Sequence, residues 1–417
     1  MVAWLTAGVS LQQPVRVDVV VVGAGQAGLS TAFHLVRRGL VPLDGPGGAG
    51  ARTFVVLDAD EGPGGAWQHR WRTLTMGGTN RVHELPGTPL GDVDLDEPAA
   101  DAVPRYFARY ERDHALHVRR PVRVLAVRDA DGGGGGDIDH STDDARGRSG
   151  DLLVETDSGS YLAGAVVSAT GTWTRPFWPR YPGVGTFAGR QLHTHDFRGA
   201  AELAGRRVVV VGGGISAIQH LMDLAPVATT LWVTRREPTW REGTFDRRAG
   251  HDAVALVEER TRAGLPPQSV VSVTGLPLTD EVRAARESGV LRRFPMFTAV
   301  DGDDVVWSPP SVLDVPGVPA LVRVPAGART QDGAVRWRAD VILWATGFRS
   351  ALDHLAPLRL REPGGGLLMD RTTAVRDPRV QLVGYGPSAS TIGANRAGRD
   401  AARGALAALD RRLSLVE

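Results

Sequence analysis

Four consecutive valines, Val19–Val22, lead directly into a glycine-rich segment with the pattern G-x-G-x-x-G. A β-branched, apolar run without turn residues is typical of a strand buried on both faces of a parallel sheet. The next segment, Gln26–Arg38, has apolar residues at helical spacing, and Gly39 offers a C-terminal stop. This order of strand, tight turn and helix predicts the first βαβ unit of a Rossmann-like α/β domain.

The glycine-rich turn predicts a dinucleotide site. Gly23 can make the turn, Gly25 lets a pyrophosphate approach the backbone, and Gly28 lets helix and strand pack closely. The N-terminus of the helix then faces the phosphates. We therefore expect Gly23, Gly25, Gln26, Ala27 and Gly28 to contact a cofactor.

An acidic residue follows the next predicted strand. Thr53–Leu57 ends in Asp58, which stands where an acceptor for a ribose hydroxyl belongs. The interval from Gly28 exceeds the usual ~20 residues, and a loop insertion over Asp44–Gly50 accounts for the excess. An ordinary buried βαβ unit without a ligand is the alternative interpretation.

The strand, glycine turn and helix recur in the second half of the chain. Arg207–Val211 precedes a second fingerprint, whose third position is alanine, a residue that the motif tolerates. The next strand, Thr229–Thr234, ends in two arginines, and a guanidinium there can bind a 2′-phosphate, which favours NADP over NAD. A solvated basic turn is the alternative. The predicted contacts of this second site are Gly212, Gly214, Ser216, Ala217, Arg235 and Arg236.

Two apolar strands, Ala165–Gly171 and Ala339–Phe348, both run into Ala-Thr-Gly, and each lies downstream of one fingerprint. With the absence of cysteine, this repeat suggests a flavoprotein that takes hydride from a nicotinamide. The cofactor contacts expected in these turns are Ala169, Thr170, Gly171, Ala345, Thr346 and Gly347.

Further cofactor contacts are expected outside the fingerprints. In Gly62–Arg70 small residues let backbone lie close to a flat ligand, so Gly65 and Trp67 are candidates, and Arg70 and Arg72 could meet phosphate or carboxylate. An ordinary glycine turn with a buried tryptophan is the alternative there. We also expect Val124, in a predicted strand, and Gly386, before a C-terminal helix whose positive dipole end would suit a reduced, anionic cofactor. A plain packing helix is the alternative at the C-terminus.

Composition narrows the class of protein. A chain of 417 residues exceeds what one hydrophobic core usually serves, so two domains are expected. The net charge of +1 gives no reason to propose nucleic acid or a membrane surface as a partner. The chain has no lysine, which excludes a Schiff-base lysine, and no cysteine, which excludes disulfides, thiolate metal sites and a redox-active C-x-x-C pair.

Targeting and flexible segments were assessed from the same sequence. No apolar run reaches the ~20 residues of a membrane helix, and no charged region precedes an apolar one at the N-terminus. A cytoplasmic location is expected. Residues Met1–Gln13 are predicted to be a loose lead-in and Asp131–Gly150, rich in Gly and Asp, a disordered hairpin tip. Pro238–Val335 is expected to line or cover a substrate cavity.

One further stretch identifies a family. Phe187–Phe197 matches F-x-G-x-x-x-H-x-x-x-F/Y and resembles the identifying sequence of class B flavin-dependent monooxygenases, which include flavin-containing and N-hydroxylating monooxygenases. With the second fingerprint, the Gly64–Trp67 turn and the Leu343–Phe348 strand, the resemblance spans nearly the whole chain. Baeyer–Villiger enzymes have Trp where this chain has Phe197, so the resemblance is closer to the heteroatom-oxidising branch.

The resemblance implies two Rossmann-like domains, with the NADP domain inserted in the FAD domain. The expected boundaries are 1–185 for the first part of the FAD domain, 186–338 for the NADPH domain and 339–417 for the C-terminal part of the FAD domain. Hydride would pass from nicotinamide to flavin N5, and the reduced flavin would add O2 to give a C4a-hydroperoxide. A soft nucleophile (N or S) of a small molecule would take the distal oxygen.

The resemblance also suggests two residues for the catalytic centre. Asn80 lies near where such enzymes place an Asn beside the flavin, and His193 would position the linker between domains rather than act as a base. His193 and His195 alone are too little to suggest a metal site. The competing functions are an NAD(P)H-dependent flavin reductase or oxidase, a Baeyer–Villiger monooxygenase and a non-catalytic flavin-binding protein. An oligomer is possible in each case.

Overall fold

Each glycine-rich segment begins where a central parallel strand of a separate sheet ends. The structure, a computed structural model, describes residues 13–47, 50–79, 82–130, 150–242, 247–267, 275–313, 324–389 and 391–414. Asn80 lies outside these residues, as do nearly all of the predicted lead-in and hairpin tip. No helix in these ranges is long and apolar enough to cross a bilayer.

The strands of the described chain are β1 (Val15–Val22), β2 (Val41–Pro42), β3 (Thr53–Leu57), β4 (Val124–Asp129), β5 (Leu152–Thr156), β6 (Gly159–Ser168), β7 (Arg190–His193), β8 (Arg207–Val211), β9 (Thr229–Thr234), β10 (Trp240–Arg241), β11 (Leu276–Pro277), β12 (Arg293–Pro295), β13 (Ala299–Asp301), β14 (Asp304–Trp307), β15 (Arg329–Gln331), β16 (Ala334–Arg338), β17 (Val341–Trp344), β18 (Met369–Asp370), β19 (Thr373–Ala374) and β20 (Val380–Leu382). The α-helices are α1 (Gln26–Val36), α2 (Ala99–Asp113), α3 (Ile215–Leu224), α4 (Arg247–Arg262), α5 (Asp280–Glu287) and α6 (Thr391–Leu413).

The first sheet has the order β18-β19-β20-β6-β1-β3-β2, and β5 joins the N-terminal half of β6 to β4. β1 runs parallel to both β3 and β6 at the centre of this sheet. Val19 and Val21 pack into the core on one face, while Val20 and Val22 pack into a separate core on the other. Burial on both faces explains why β1 is uniformly apolar rather than alternating.

The second sheet has the order β12-β9-β8-β17-β7, and all of its pairings are parallel. Val208 and Val210 join the core that includes α3, whereas Val209 and Val211 pack on the face that carries the antiparallel sheet β13-β14-β16-β15. The second glycine turn therefore stands on the same type of doubly buried strand as the first.

The position of β17 corrects one expected boundary. The expected boundary places Ala339–Phe348 in the FAD domain, but β17 pairs with β8 and β7 in the second sheet. The chain returns to the first sheet only through β18, β19 and β20. A boundary at 338/339 is therefore wrong, because Val341–Trp344 is a central strand of the second sheet.

Candidate active site

The first glycine turn is fixed by packing at two of its three glycines. Gly23 has a φ of +99°, and a Cβ at this position would lie 2.7 Å from the carbonyl oxygen of Ala169. A Cβ on Gly28 would lie 1.8 Å from the carbonyl oxygen of Gly23. The backbone alone requires glycine at both positions.

Gly25 is different. Its φ of −76° suits any residue, and within the described residues no atom beyond its chain neighbours lies within 4 Å of the place where its Cβ would be. Open space therefore stands directly before the N-terminus of α1, where backbone N–H groups and the helix dipole favour an anion. A pyrophosphate that closely approaches the backbone explains the glycine here, and no protein contact does.

Gln26 and Ala27 begin α1. The Gln26 side chain donates to the carbonyl of His83 at 2.8 Å and to Oδ1 of Asn395 at 3.0 Å, so both N–H donors of its amide are already used. Ala27 is buried in the core.

The second turn repeats this geometry. Gly212 has a φ of +147°, and its Cβ would lie 2.1 Å from the carbonyl oxygen of Ala345. Gly214 has a φ of −103° and open space at its Cβ position. It precedes α3, in which Ser216 is half-buried and Ala217 is fully buried. The donor set of both turns therefore fits a dinucleotide.

The two alanines of the Ala-Thr-Gly turns also have matching roles. The Ala169 N–H donates to the Val22 carbonyl and the Ala345 N–H to the Val211 carbonyl, each at 2.8 Å. Each alanine thus extends the parallel pairing by one residue and places its own carbonyl against the first glycine of a fingerprint. This equivalence explains why the tripeptide occurs once in each sheet.

The segments that follow the two Ala-Thr-Gly turns, residues 171–177 and 347–351, form hydrogen bonds with each other. We call these two segments the crossed exits. The Phe177 N–H donates to Gly347 at 2.9 Å, the Arg349 N–H to Arg175 at 2.8 Å and the Ala351 N–H to Gly171 at 3.0 Å. The hydroxyl of Thr170 donates to the Ala351 carbonyl at 2.7 Å, and that of Thr346 to the Phe177 carbonyl at 2.5 Å. Both threonine donors are therefore used to join the two halves of the molecule.

Gly171 and Gly347 end these turns with φ values of +61° and +79°. No protein atom lies within 4 Å of either Cβ position. Positive φ explains glycine at both positions, and the open space lies where the two sheets meet.

Asp58 lies at the carboxyl end of β3, as expected, but its carboxylate has protein partners. Its Oδ2 accepts from Arg120 Nε at 2.9 Å, and Arg120 also holds Glu111 through two hydrogen bonds of 2.6 and 2.7 Å. Burial raises the pKa of Asp58, while the Arg120 guanidinium and the Ala24 N–H oppose this rise. A carboxylate has about four acceptor positions, so a ribose hydroxyl can share Asp58 with Arg120.

The Gly64–Arg70 segment covers the first turn. Gly65 has a φ of +51°, and its Cβ would lie 2.9 Å from the Gly25 Cα. Trp67 is half-buried and packs against the core. Of the two arginines expected to meet an anionic ligand, Arg72 instead forms a bidentate pair with Asp101 at 3.0 and 2.5 Å. Arg70 points into a cluster of aromatic rings.

Three residues of the Phe187–Phe197 pattern, Phe187, Gly189 and Phe197, are packing positions. Phe187 is buried in the second domain's core, and a Cβ on Gly189 would lie 2.4 Å from the Asp340 carbonyl oxygen. Phe197 is fully buried, with its ring centroid 4.4 Å from that of His220. These contacts fasten β7 and the residues after it to the second sheet.

His193 is held by backbone on both sides of its ring. Its Nδ1 accepts from the His195 N–H at 3.0 Å, so Nε2 carries the proton that it donates to the Gly347 carbonyl at 3.1 Å. Burial lowers the pKa of His193 to about 4. The ring is therefore neutral, and it connects the linker to the second Ala-Thr-Gly turn, which is the geometry of a positioning residue.

Arg235 and Arg236 are both exposed after β9. Sequence reasoning missed a third arginine beside them: Arg293 on β12 donates from Nε to the Thr234 hydroxyl at 2.7 Å. No local sequence pattern indicates this arginine, because β12 lies beside β9 only in the folded sheet. The three guanidinium groups make this strand end strongly basic.

Two other expected contacts have ordinary packing roles. Val124 begins β4 and packs partly buried against the first domain's core. Gly386 has a φ of +60°, and its Cβ would lie 2.8 Å from Thr261 Cγ2, so packing against α4 already accounts for glycine there. Nothing in the described ranges groups three or more His, Asp or Glu side chains as a metal site.

A buried histidine that sequence reasoning also missed supports the first Ala-Thr-Gly turn. His354 Nε2 lies 3.1 Å from the Ser168 hydroxyl, which is 3.3 Å from that of Thr170. Burial lowers the pKa of His354 to about 4. The residues are 186 positions apart, so no local pattern indicates their contact.

Known proteins resemble this chain in sequence and in fold. The sequence profile of the pyridine nucleotide-disulphide oxidoreductases matches residues 70–250. The flavin-containing monooxygenase from Stenotrophomonas maltophilia has a solved structure that is 33% identical, with a TM-score of 0.69 over 94% of this chain and 99% of that one.

Two curated relatives match shorter regions. The indole-3-pyruvate monooxygenase YUCCA1 of Oryza sativa subsp. japonica is 30% identical over 49% of this chain and 44% of its own length. A Baeyer-Villiger monooxygenase of Streptomyces coelicolor is 27% identical over 60% of this chain and 43% of its own length. The chain spans about half the length of the curated relatives that it matches.

These findings confirm the fold class and the family expected from the sequence. The solved relative is a flavin monooxygenase, the matching profile is that of pyridine nucleotide-disulphide oxidoreductases, and both glycine turns have room for a dinucleotide. The chain therefore belongs to the flavin-containing monooxygenases.

Proposed function

We propose that this protein is an NADPH-dependent FAD monooxygenase that oxygenates a nitrogen or sulfur atom of a small molecule. The first sheet binds FAD through the turn at Gly23–Gly28, and the second binds NADPH through the turn at Gly212–Ala217. Bound FAD supplies hydride acceptance and O2 activation. The balanced reaction is substrate, NADPH, H⁺ and O2 to oxygenated substrate, NADP⁺ and water.

One observation carries the two-nucleotide assignment. Gly25 and Gly214 both precede helices, both have φ values open to any residue, and both face space free of protein atoms. The crossed exits after the two Ala-Thr-Gly turns join the sheets at their carboxyl ends. Ligands of open α/β sheets bind at these ends, so the two nucleotides would meet there.

The preference for NADPH follows from charge. Arg235 and Arg236 are exposed at the end of β9, and Arg293 is anchored beside them through Thr234. A 2′-phosphate gains charge-assisted hydrogen bonds from such guanidinium groups, and NADH has no group to use them.

The residues of the site bind and position rather than transfer protons. His193 has its ring nitrogens engaged with backbone groups and is neutral at physiological pH. Its bond to Gly347 fixes the second turn relative to the linker. Phe197, followed by Arg198, supports oxidation of a heteroatom over Baeyer–Villiger chemistry.

The test measures the destination of oxygen. FAD-loaded protein is given NADPH, ¹⁸O2 and either methyl phenyl sulfide or N,N-dimethylaniline, and product, NADPH consumption and H2O2 are quantified. The expected result is one ¹⁸O in the sulfoxide or N-oxide for each NADPH consumed. Stoichiometric H2O2 without an oxygenated product would contradict the proposal and favour an oxidase.

A Baeyer–Villiger activity is a second candidate, since relatives with that name match the chain. The same assay with cyclohexanone distinguishes it. An ¹⁸O-labelled lactone, formed without sulfoxide or N-oxide, would assign the chain to that chemistry instead.

A further inference from the structure

Arg70 is a half-buried cation among three tryptophans, Trp67, Trp71 and Trp173, which we call the tryptophan cage. Its guanidinium carbon lies 4.4 Å from the ring centroid of Trp173, 5.8 Å from that of Trp67 and 5.9 Å from that of Trp71. The Nε atom is fully buried and has no hydrogen-bond partner in the described part of the chain. Burial lowers the pKa of Arg70 to about 10, so the group is still charged at neutral pH.

Two other arginines with little exposed side-chain surface are neutralised by acids. Arg120 is held by Asp58 and Glu111, and Arg379 by Asp377 and Asp129. Among the described residues no carboxylate pairs with Arg70. A charge removed from water without a counter-ion raises the free energy of the folded protein. The aromatic faces of the tryptophan cage offset only part of this increase.

The carboxylates of neighbouring segments are already bonded elsewhere. Asp60 accepts from Gln68 and pairs with His69, each at 3.0 Å. Asp196 pairs with His195 at 2.7 Å. The counter-charge for Arg70 is therefore not supplied by these two acids.

The cage lies between the two nucleotide sites. Trp173 follows Gly171 and stacks on Phe348, which follows Gly347, with ring centroids 5.0 Å apart. The Gly64–Arg70 segment meets the first turn through the contact of Gly65 with Gly25. The phosphates of NADPH have other sites, at the N-terminus of α3 and at the basic end of β9. An anion beside the aromatic cage is therefore best assigned to the substrate.

We propose that Arg70 binds the carboxylate of an acidic substrate whose apolar or aromatic body lies against the tryptophan cage. This assignment rests on the proposed monooxygenase function for what happens to the substrate, but binding itself does not depend on turnover. A guanidinium offers two parallel N–H donors to a carboxylate, and the rings around it hold the apolar remainder. The substrates are thus acids that carry an oxidisable sulfur or nitrogen.

The experiment compares one acid with its uncharged amide. The probes are 4-(methylthio)phenylacetate and 4-(methylthio)phenylacetamide, which share the sulfur and the ring. Binding to FAD-loaded protein without NADPH is followed by quenching of tryptophan fluorescence, and kcat/KM is measured by sulfoxide formation. The wild type is expected to bind the acid at least about 10-fold more tightly than the amide, since a charge-assisted pair contributes about 1.5–3 kcal/mol.

Arg70→Met is expected to abolish this preference, and Arg70→Lys to retain part of it. Arg72→Met is the matched control: it removes an arginine two positions away that is already paired with Asp101 at the surface, so the preference should stay unchanged. Thermal unfolding and the flavin spectrum establish that each variant is folded and loaded.

Three results would overturn the assignment. An unchanged acid preference in Arg70→Met, or no preference in the wild type, would make the cation structural. A weaker NADPH affinity in Arg70→Met with the acid preference unchanged would assign the guanidinium to a coenzyme phosphate. If neither probe is oxygenated, the fluorescence titration still decides the role of Arg70, and only the proposed function fails.

Discussion

Replacing Gly25 by alanine is expected to weaken FAD binding without weakening the folded apoprotein. The φ of −76° is accessible to alanine, and a Cβ there meets no protein atom within 4 Å. Removing glycine from such a position stabilises a protein by about 0.4–1 kcal/mol through the unfolded chain. The added methyl group would, however, occupy the space in front of α1, so the dissociation constant for FAD should rise about 10-fold or more, which is ~1.4 kcal/mol.

Gly23→Ala should have the opposite pattern. Its φ of +99° and the 2.7 Å approach to Ala169 require the backbone to shift, which costs about 1–3 kcal/mol in the apoprotein. Apoprotein stability is measured by urea unfolding and FAD affinity by titration of flavin fluorescence. Gly185→Ala is the control, because this exposed glycine also has an open Cβ position but lies outside both turns.

Gly214→Ala provides the reciprocal measurement: NADPH binding should weaken about 10-fold while FAD affinity stays constant. Two results would contradict the hypothesis that the space beside Gly25 is kept open for FAD. The first is a Gly25→Ala apoprotein that is destabilised as much as Gly23→Ala. The second is a Gly25→Ala variant that binds FAD with the wild-type dissociation constant.

Three further predictions concern charge. Arg235→Glu should lower the ratio of kcat/KM for NADPH over NADH about 10- to 100-fold, since a charged hydrogen bond contributes about 1.5–3 kcal/mol. An unchanged ratio in steady-state kinetics would contradict binding of the 2′-phosphate at the basic end of β9. Arg120→Met should destabilise the protein by about 3–5 kcal/mol in urea unfolding, because the carboxylates of Asp58 and Glu111 lose their cation. A smaller loss of stability than for Arg72→Met would contradict this prediction. The free energy of unfolding should fall as the pH drops from about 6.5 toward 4. Burial lowers the pKa values of His193 and His354 to about 4, so in this range the unfolded chain binds protons that the folded protein does not. Each histidine should contribute a loss of up to about 1.36 kcal/mol per pH unit. Urea unfolding at pH 7, 6 and 5 checks this, and His354→Gln, which cannot titrate, should show a shallower slope than the wild type.

The elements around both fingerprints follow from local sequence. The predicted bounds of Thr53–Leu57, Arg207–Val211 and Thr229–Thr234 agree with the structure, because buried valines and glycine turns act over a few residues. Helix α2 begins at Ala99 and contains Pro104, which packs against Gly64.

What the sequence could not supply depends on pairing between distant segments. The strand before Ala345 has the same local pattern as the one before Ala169, and only its partners β8 and β7 assign it to the second sheet. The triad of Asp58, Arg120 and Glu111 is similar, because its members come from different elements. Spacing along the chain contains no information on such contacts.

The crossed exits have a mechanical consequence. Three backbone hydrogen bonds join the two halves within a few residues. They run from Phe177 to Gly347, from Arg349 to Arg175 and from Ala351 to Gly171. Pulling the halves apart at this seam would break these three backbone bonds together with the two threonine bonds. The seam therefore fixes the distance between the floors of the two nucleotide sites.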